Sequence, residues 1–137
     1  MERFVGTWKP SKIDFEQLKK FYTSMGMPAA AMDIGKEEGW AGLELEVTEN
    51  GTIWKYCNAP WGDSTITFHL EQGAFSTMGK SGERKGEFKM EGDAVITEMS
   101  FGGGKNIKTT NKITGGTLTV VQTFGDVSVE SVFKKCG

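Results

Sequence analysis

The sequence predicts a mainly β protein: an antiparallel, up-and-down barrel of nine or ten short strands, with two helices inserted after the first. Two observations carry this. Glycine supplies nineteen of 137 residues, about 14% where about 7% is usual, and these glycines separate short apolar runs without any collagen-like period. After residue 40 the apolar spacing has a period of two, and no helical spacing returns. Evenly spaced hairpins in that number close most naturally into a barrel, because closure removes exposed strand edges.

Phe4-Val5-Gly6-Thr7-Trp8-Lys9 reads as the first strand, with Pro10 expected to end it. From Asp14 the period changes: Leu18, Phe21, Tyr22 and Met25 fall on one helical face. Asp14 with Gln17 three residues on makes a capping-box pattern, and Gly26 marks the stop. Pro28 opens a second short helix through Ile34, closed by Gly35, so the helical insertion spans about residues 14–35. Leu43, Leu45 and Val47 then alternate with Glu44, Glu46 and Thr48, a strand with one polar face. Asn50-Gly51 is a strong hairpin signal, and Thr52 to Asn58 returns. Thr65 to Leu70 follows, with Ile66, Phe68 and Leu70 on one face, and a short strand fits Phe75 to Met78. Arg84–Met90 and Ala94–Phe101 flank Glu91-Gly92-Asp93, and Asn106–Ile113 and Thr117–Phe124 flank Thr114-Gly115-Gly116. Val127 to Lys135 comes last, after Gly125-Asp126.

An eight-stranded barrel is just filled by side chains or holds one small ligand. A ten-stranded one has more room than a chain of this length fills. A cavity is therefore expected, with the helix pair placed as its lid and ligand binding as the default use.

Composition excludes several other classes. Sixteen basic residues face eighteen acidic ones, which is no nucleic-acid footprint. No apolar run approaches a membrane span, and Met1-Glu2-Arg3-Phe4 has no apolar h-region, so no signal peptide is expected. Cys57 and Cys136 lack any metal spacing and read as free thiols. A single domain in the cytosol is expected. His69 is the one histidine, so no triad or His-based metal site can be assembled, and neither cofactor nor metal is expected. Gly102-Gly103-Gly104 reads as a hairpin turn, since no helix follows to make a phosphate loop. Arg3 and Arg84 are the only arginines among the basic residues, and Arg84 sits in a charge cluster running from Lys80 to Lys85.

Phe4-Val5-Gly6-Thr7-Trp8-Lys9, a helix opening Asp14-Phe15-Glu16, the hairpin series and a last strand ending Val132-Phe133-Lys134-Lys135 resemble the intracellular lipid-binding proteins. These include the fatty-acid-binding proteins and the cellular retinoid-binding proteins. The resemblance spans the chain in length and order of elements. Lipocalins share the Gly-x-Trp of the first strand, but the helix pair directly after it favours the intracellular family. The resemblance implies a ten-stranded barrel, or β-clam, with a helix-turn-helix lid. It also implies carriage of one hydrophobic ligand through the cytosol, without chemistry, by a monomer.

Fatty-acid binders of this family typically hold the carboxylate with an Arg in the strand matching Asn106–Ile113 and an Arg-x-Tyr pair in the last strand. Those positions fall here on Asn111, Ser131 and Phe133, so none is kept. A buried carboxylate needs a paired cation or several donors. The lysines Lys55, Lys108, Lys112 and Lys134 fall on outward positions or strand ends. The same strand parity turns Val120, Gln122 and Val129 inward, giving a neutral inner wall that suits a hydroxyl, carbonyl or amide. That is closer to the retinol-binding branch, and it also suits a carboxylate held through water or near the mouth.

Phe15, Leu18, Tyr22 and Met25 are expected to look down on the barrel mouth, with Phe15 the best candidate for ligand contact. Trp61 stands in the turn Asn58-Ala59-Pro60-Trp61-Gly62-Asp63, where the family usually carries a portal phenylalanine. Trp54 and Tyr56 alternate with Lys55 and should face inward with Ile66, as ligand-contacting wall. Trp40 opens the first strand after the helices and reads equally as a hinge anchor. Lys12, Lys19, Lys20 and Lys36 form a basic lid surface that would suit transient contact with anionic membranes. The aromatic-rich wall equally suits a tetrapyrrole or another conjugated pigment. An enzyme reading rests on Glu98 alone as an inward base beside Ser100, and no paired carboxylate supports it.

Overall fold

The computed structural model describes residues 1–26, 40–59, 62–79, 82–100 and 106–136. Ten strands are present: β1 (Gly6–Ile13), β2 (Glu44–Thr48), β3 (Ile53–Cys57), β4 (Ser64–His69), β5 (Ala74–Gly79), β6 (Gly82–Glu91), β7 (Ala94–Ser100), β8 (Asn106–Thr114), β9 (Thr117–Phe124) and β10 (Val127–Lys135). Each pairs antiparallel with the next, and β1 also pairs with β10, so the barrel is closed. Among the described residues, one helix, α1 (Phe15–Ser24), is placed between β1 and β2. The expected second helix, from Pro28 to Gly35, lies outside the described residues.

The alternation of up and down strands sorts the connections into two ends. The end that carries α1 also receives the β3–β4, β5–β6, β7–β8 and β9–β10 connections. The far end takes the remaining hairpins and the N-terminal turn, Glu2–Phe4. Here the structure corrects the expected start of the first strand. Phe4 belongs to that turn, not to β1, and its side chain is fully buried as a plug. Its ring centroid lies 5.2 Å from that of Trp54, and its carbonyl accepts the indole N–H of Trp8 at 2.9 Å.

Pro10 does not end the strand either. β2 pairs with β1 only over Gly6–Trp8, so the N–H that Pro10 lacks falls where β10 is the sole partner. The register with β10 shifts between Pro10 and Lys12, a bulge that carries the strand on to Ile13. Leu70, expected inward, follows the end of β4 and is 53% exposed.

The Asn50-Gly51 hairpin forms between Thr48 and Ile53, though as a four-residue loop and not a two-residue turn. Glu49, Asn50 and Gly51 all take positive φ there. Gly51 is required for a second reason: an added Cβ would stand 1.9 Å from the Met1 carbonyl oxygen. Its own carbonyl accepts the Trp54 indole N–H at 2.7 Å.

α1 forms as the spacing predicts. Asp14 caps it by accepting the Gln17 backbone N–H at 3.1 Å, and Leu18 and Phe21 are buried beneath it. The Gln17 side-chain amide donates to the Ser128 carbonyl at 2.7 Å, tying the first turn of the helix to the β9–β10 rim. The far half of the barrel is filled by Trp8, Trp54, Phe68, Phe75 and Leu118, each no more than 4% exposed. Phe68 gathers this cluster, with ring centroids 5.5 Å from Trp54, 6.0 Å from Phe75 and 5.0 Å from Phe88.

Candidate ligand cavity

Filling stops halfway up. Above the aromatic floor is a cavity of about 400 Å³, within the usual range for small-molecule sites. The strand ladders set its wall in rows. Val95, Asn111, Val120 and Ser131 stand side by side across β7, β8, β9 and β10. The next row toward the α1 end is Thr97, Thr109, Gln122 and Val129. Two consecutive rows therefore build a band of hydroxyl and amide groups: Thr97, Thr109, Asn111, Gln122 and Ser131 all line the cavity. Asn111 and Ser131 are 4% and 5% exposed, and the Asn111 amide donates to the Val95 carbonyl at 3.4 Å. No buried side-chain polar atom lacks a hydrogen-bond partner among the described residues. This band is uncharged.

The mouth differs. Tyr22 and Met25 from the end of α1, Trp40, Tyr56 from β3, Asp63, Ser64, Thr77 and Arg84 line it, with Tyr56 paired to Ser64 across β3 and β4. Burial pushes the Tyr22 phenol up to about 12. Burial also raises that of Tyr56, helped by Tyr22, since a second phenolate so close would repel the first. Asp63 accepts the backbone N–H of Asn58 at 2.8 Å. Among the described lining residues, Asp63 and Arg84 are the charged ones.

Of the candidate residues named from the sequence, Tyr22, Trp54, Tyr56 and Ile66 line this cavity, as do Asn111, Val120, Gln122, Ser131 and Phe133. Phe15 and Leu18 do not. Leu18 is fully buried under the helix, and the Phe15 ring lies edge-on to Trp40 at 6.4 Å. The tie from Gln17 to Ser128 explains this: the first turn of α1 rests over the wall, and only its last turns reach over the opening. Trp61 lies outside the described residues, as do Lys36 and the glycine run 102–104. Val129 is buried but does not line the cavity.

The lysines expected outside are outside: Lys55, Lys108, Lys112 and Lys134 are exposed and absent from the lining. His69 is exposed, with Nε2 3.3 Å from the Ser76 hydroxyl. Glu98 is exposed too, because Thr97 and Met99 take the inward positions of β7, and that removes the inward base. Cys57 and Cys136 are free thiols. No described helix is long and apolar enough to cross a membrane.

Sequence reasoning missed part of the lining. Trp40 lines the cavity at 6% exposure, and Phe21, Thr77, Thr97 and Thr109 join it. The largest miss is Arg84, read from the sequence only as one member of a charge cluster; it is exposed and yet lines the cavity. It stands opposite Thr77 in the β5–β6 ladder, two residues inside Gly82, on the inward face of β6. The usable signal was its parity with Phe88, four residues on.

No protein-family profile and no curated protein matches this chain in sequence. Solved structures do match it. A fatty-acid-binding protein of Echinococcus granulosus has a TM-score of 0.76 at 19% identity, with both chains covered in full. The REP1-NXSQ fatty acid transporter has a TM-score of 0.78 at 16% identity, over 100% of this chain and 98% of that one. The fluorescent protein UnaG has a TM-score of 0.73 at 24% identity, over 98% of each chain. The resemblance to the intracellular lipid-binding proteins therefore holds at the level of the fold.

Proposed function

We propose that this protein is a non-enzymatic carrier that holds one small hydrophobic ligand, a fatty acid or a retinoid-like molecule, inside its barrel. The observation that carries the reading is the half-filled interior. An aromatic floor and a neutral polar band enclose about 400 Å³, in a chain that otherwise packs its inward residues tightly. Burial of ligand hydrocarbon against Trp54, Ile66, Val120 and Phe133 would supply most of the affinity. Asn111, Gln122 and Ser131 would supply hydrogen bonds. In this reading the protein works as a monomer in the cytosol. The exposed Lys12, Lys19 and Lys20 around α1 bring its mouth to anionic membrane surfaces during transfer.

A second reading has its own support. One structural neighbour is a fluorescent protein, and the wall here is rich in aromatic rings that stack on a conjugated pigment. One purification tests both. Denaturing mass spectrometry of an organic extract should find about one equivalent of an apolar compound, and the visible spectrum says whether it is a pigment. A colourless preparation from a pigment-supplied host removes the chromophore reading. An empty extract, with no uptake of added oleate or retinol, removes the carrier.

A further inference from the structure

We propose that Arg84 receives the anionic end of the ligand at the mouth, so that an amphipathic acid binds with its charged group outward and its chain inward. This rests on the carrier reading above. Three observations support it. Arg84 belongs to the second inward position from the β5–β6 hairpin, at the α1 end of the barrel. The deeper polar wall, from Thr97 to Ser131, holds no cation among the described lining residues. An anion placed there would lose its water without meeting an opposite charge, which opposes binding. At the mouth the same anion keeps part of its hydration and meets a guanidinium.

Arg84 has a contact of its own, but a guanidinium carries five N–H donors and can accept a carboxylate beside it. Asp63 sets the direction of approach. It lines the neighbouring β3–β4 turn, where it accepts the Asn58 N–H and its backbone lies beside Gly79 at the start of the β5–β6 hairpin, so it repels an anion that approaches Arg84 from the β4 side. The ligand class is therefore a long-chain monoacid in preference to the alcohol or ester of the same chain.

Displacement of Nile red, an uncharged probe, by oleate and by oleyl alcohol tests this in the full chain. The wild type should prefer oleate by about three- to tenfold, as expected of a charge-assisted pair that remains partly solvated. Salt should shrink that preference. Arg84→Gln should abolish it, bringing the affinity for oleate down to that for oleyl alcohol. Lys85→Gln removes the same charge from the exposed neighbouring position, opposite Ser76, and should leave the preference intact. Equal affinity for acid and alcohol in the wild type overturns the inference and leaves the carrier standing. So does a preference that survives Arg84→Gln, or one lost in Asn111→Leu, which would put the charge at the inner band. If neither compound displaces the probe, the carrier reading falls and this inference falls with it.

Discussion

Gly86 shows how much a single methyl group decides in this wall. It pairs with Phe75, and an added Cβ would stand 2.5 Å from two carbons of that ring and 2.5 Å from the Glu98 carbonyl oxygen. The Glu98 oxygen belongs to the backbone of β7, and the Phe75 ring would have to shift from its packing on Phe68. Gly86→Ala should therefore cost about 1–3 kcal/mol, the usual range for overpacking. Gly116→Ala, with nothing within 4 Å of its Cβ, should change stability by less than about 0.5 kcal/mol. Urea midpoints at constant slope compare the two, and equal effects would contradict the close approach. The glycine excess was legible as hairpin joints, and for Gly51, Gly92 and Gly115 that reading is right. Gly86 was hidden because a strand glycine flanked by Lys85 and Glu87 carries no sign of the ring lying over it. Arg84 was hidden in the same stretch: Glu83, Arg84 and Lys85 are all charged, and only Phe88, four residues on, marks the inward face.

At the scale of the element, α1 separates what periodicity can show from what it cannot. The apolar spacing, the Asp14 cap and the stop near Gly26 were all readable, because each depends on residues within one or two turns. The position of the helix over the barrel was not. It depends on Gln17 reaching the Ser128 carbonyl, 111 residues away, and that contact moved Phe15 off the cavity and brought Phe21 and Met25 onto it. β1 teaches the same lesson, since Pro10 breaks a strand only where both sides are paired. The energetic division within α1 follows from burial. Asp14→Ala removes the cap and should cost about 1 kcal/mol. Leu18→Ala empties a fully buried site and should cost 2–5 kcal/mol. Phe15→Ala, at a half-buried ring, should fall below Leu18→Ala. Thermal unfolding of the three variants checks that order, and a larger loss at Phe15 would mean that the helix sits differently on the barrel.

The whole molecule is tested most directly by its two tyrosines, the only ones in the chain. Tyr22 comes from α1 and Tyr56 from β3, and both line the same cavity. Each keeps some accessible surface, yet burial raises both phenols, Tyr22 to about 12 and Tyr56 further, with Tyr22 opposing ionisation of Tyr56. In the unfolded chain both ionise near the ordinary value of about 10. The sign follows from linkage. Between those values the unfolded state binds fewer protons, so stability is fully present below about pH 10 and is lost as pH rises toward the native values. Tyrosinate absorbance reads these two groups and nothing else. The native protein should show almost no tyrosinate at pH 10, with the signal rising near pH 12 or on alkaline unfolding. In concentrated guanidinium the same titration should centre on about 10. Tyr22→Phe should lower the midpoint of the remaining Tyr56, because its repelling partner is gone. A native titration centred on 10 would mean that bulk water reaches both phenols. The α1 side of the mouth would then be too wet to bury hydrocarbon, and the closed barrel would need a different use from the one proposed for it.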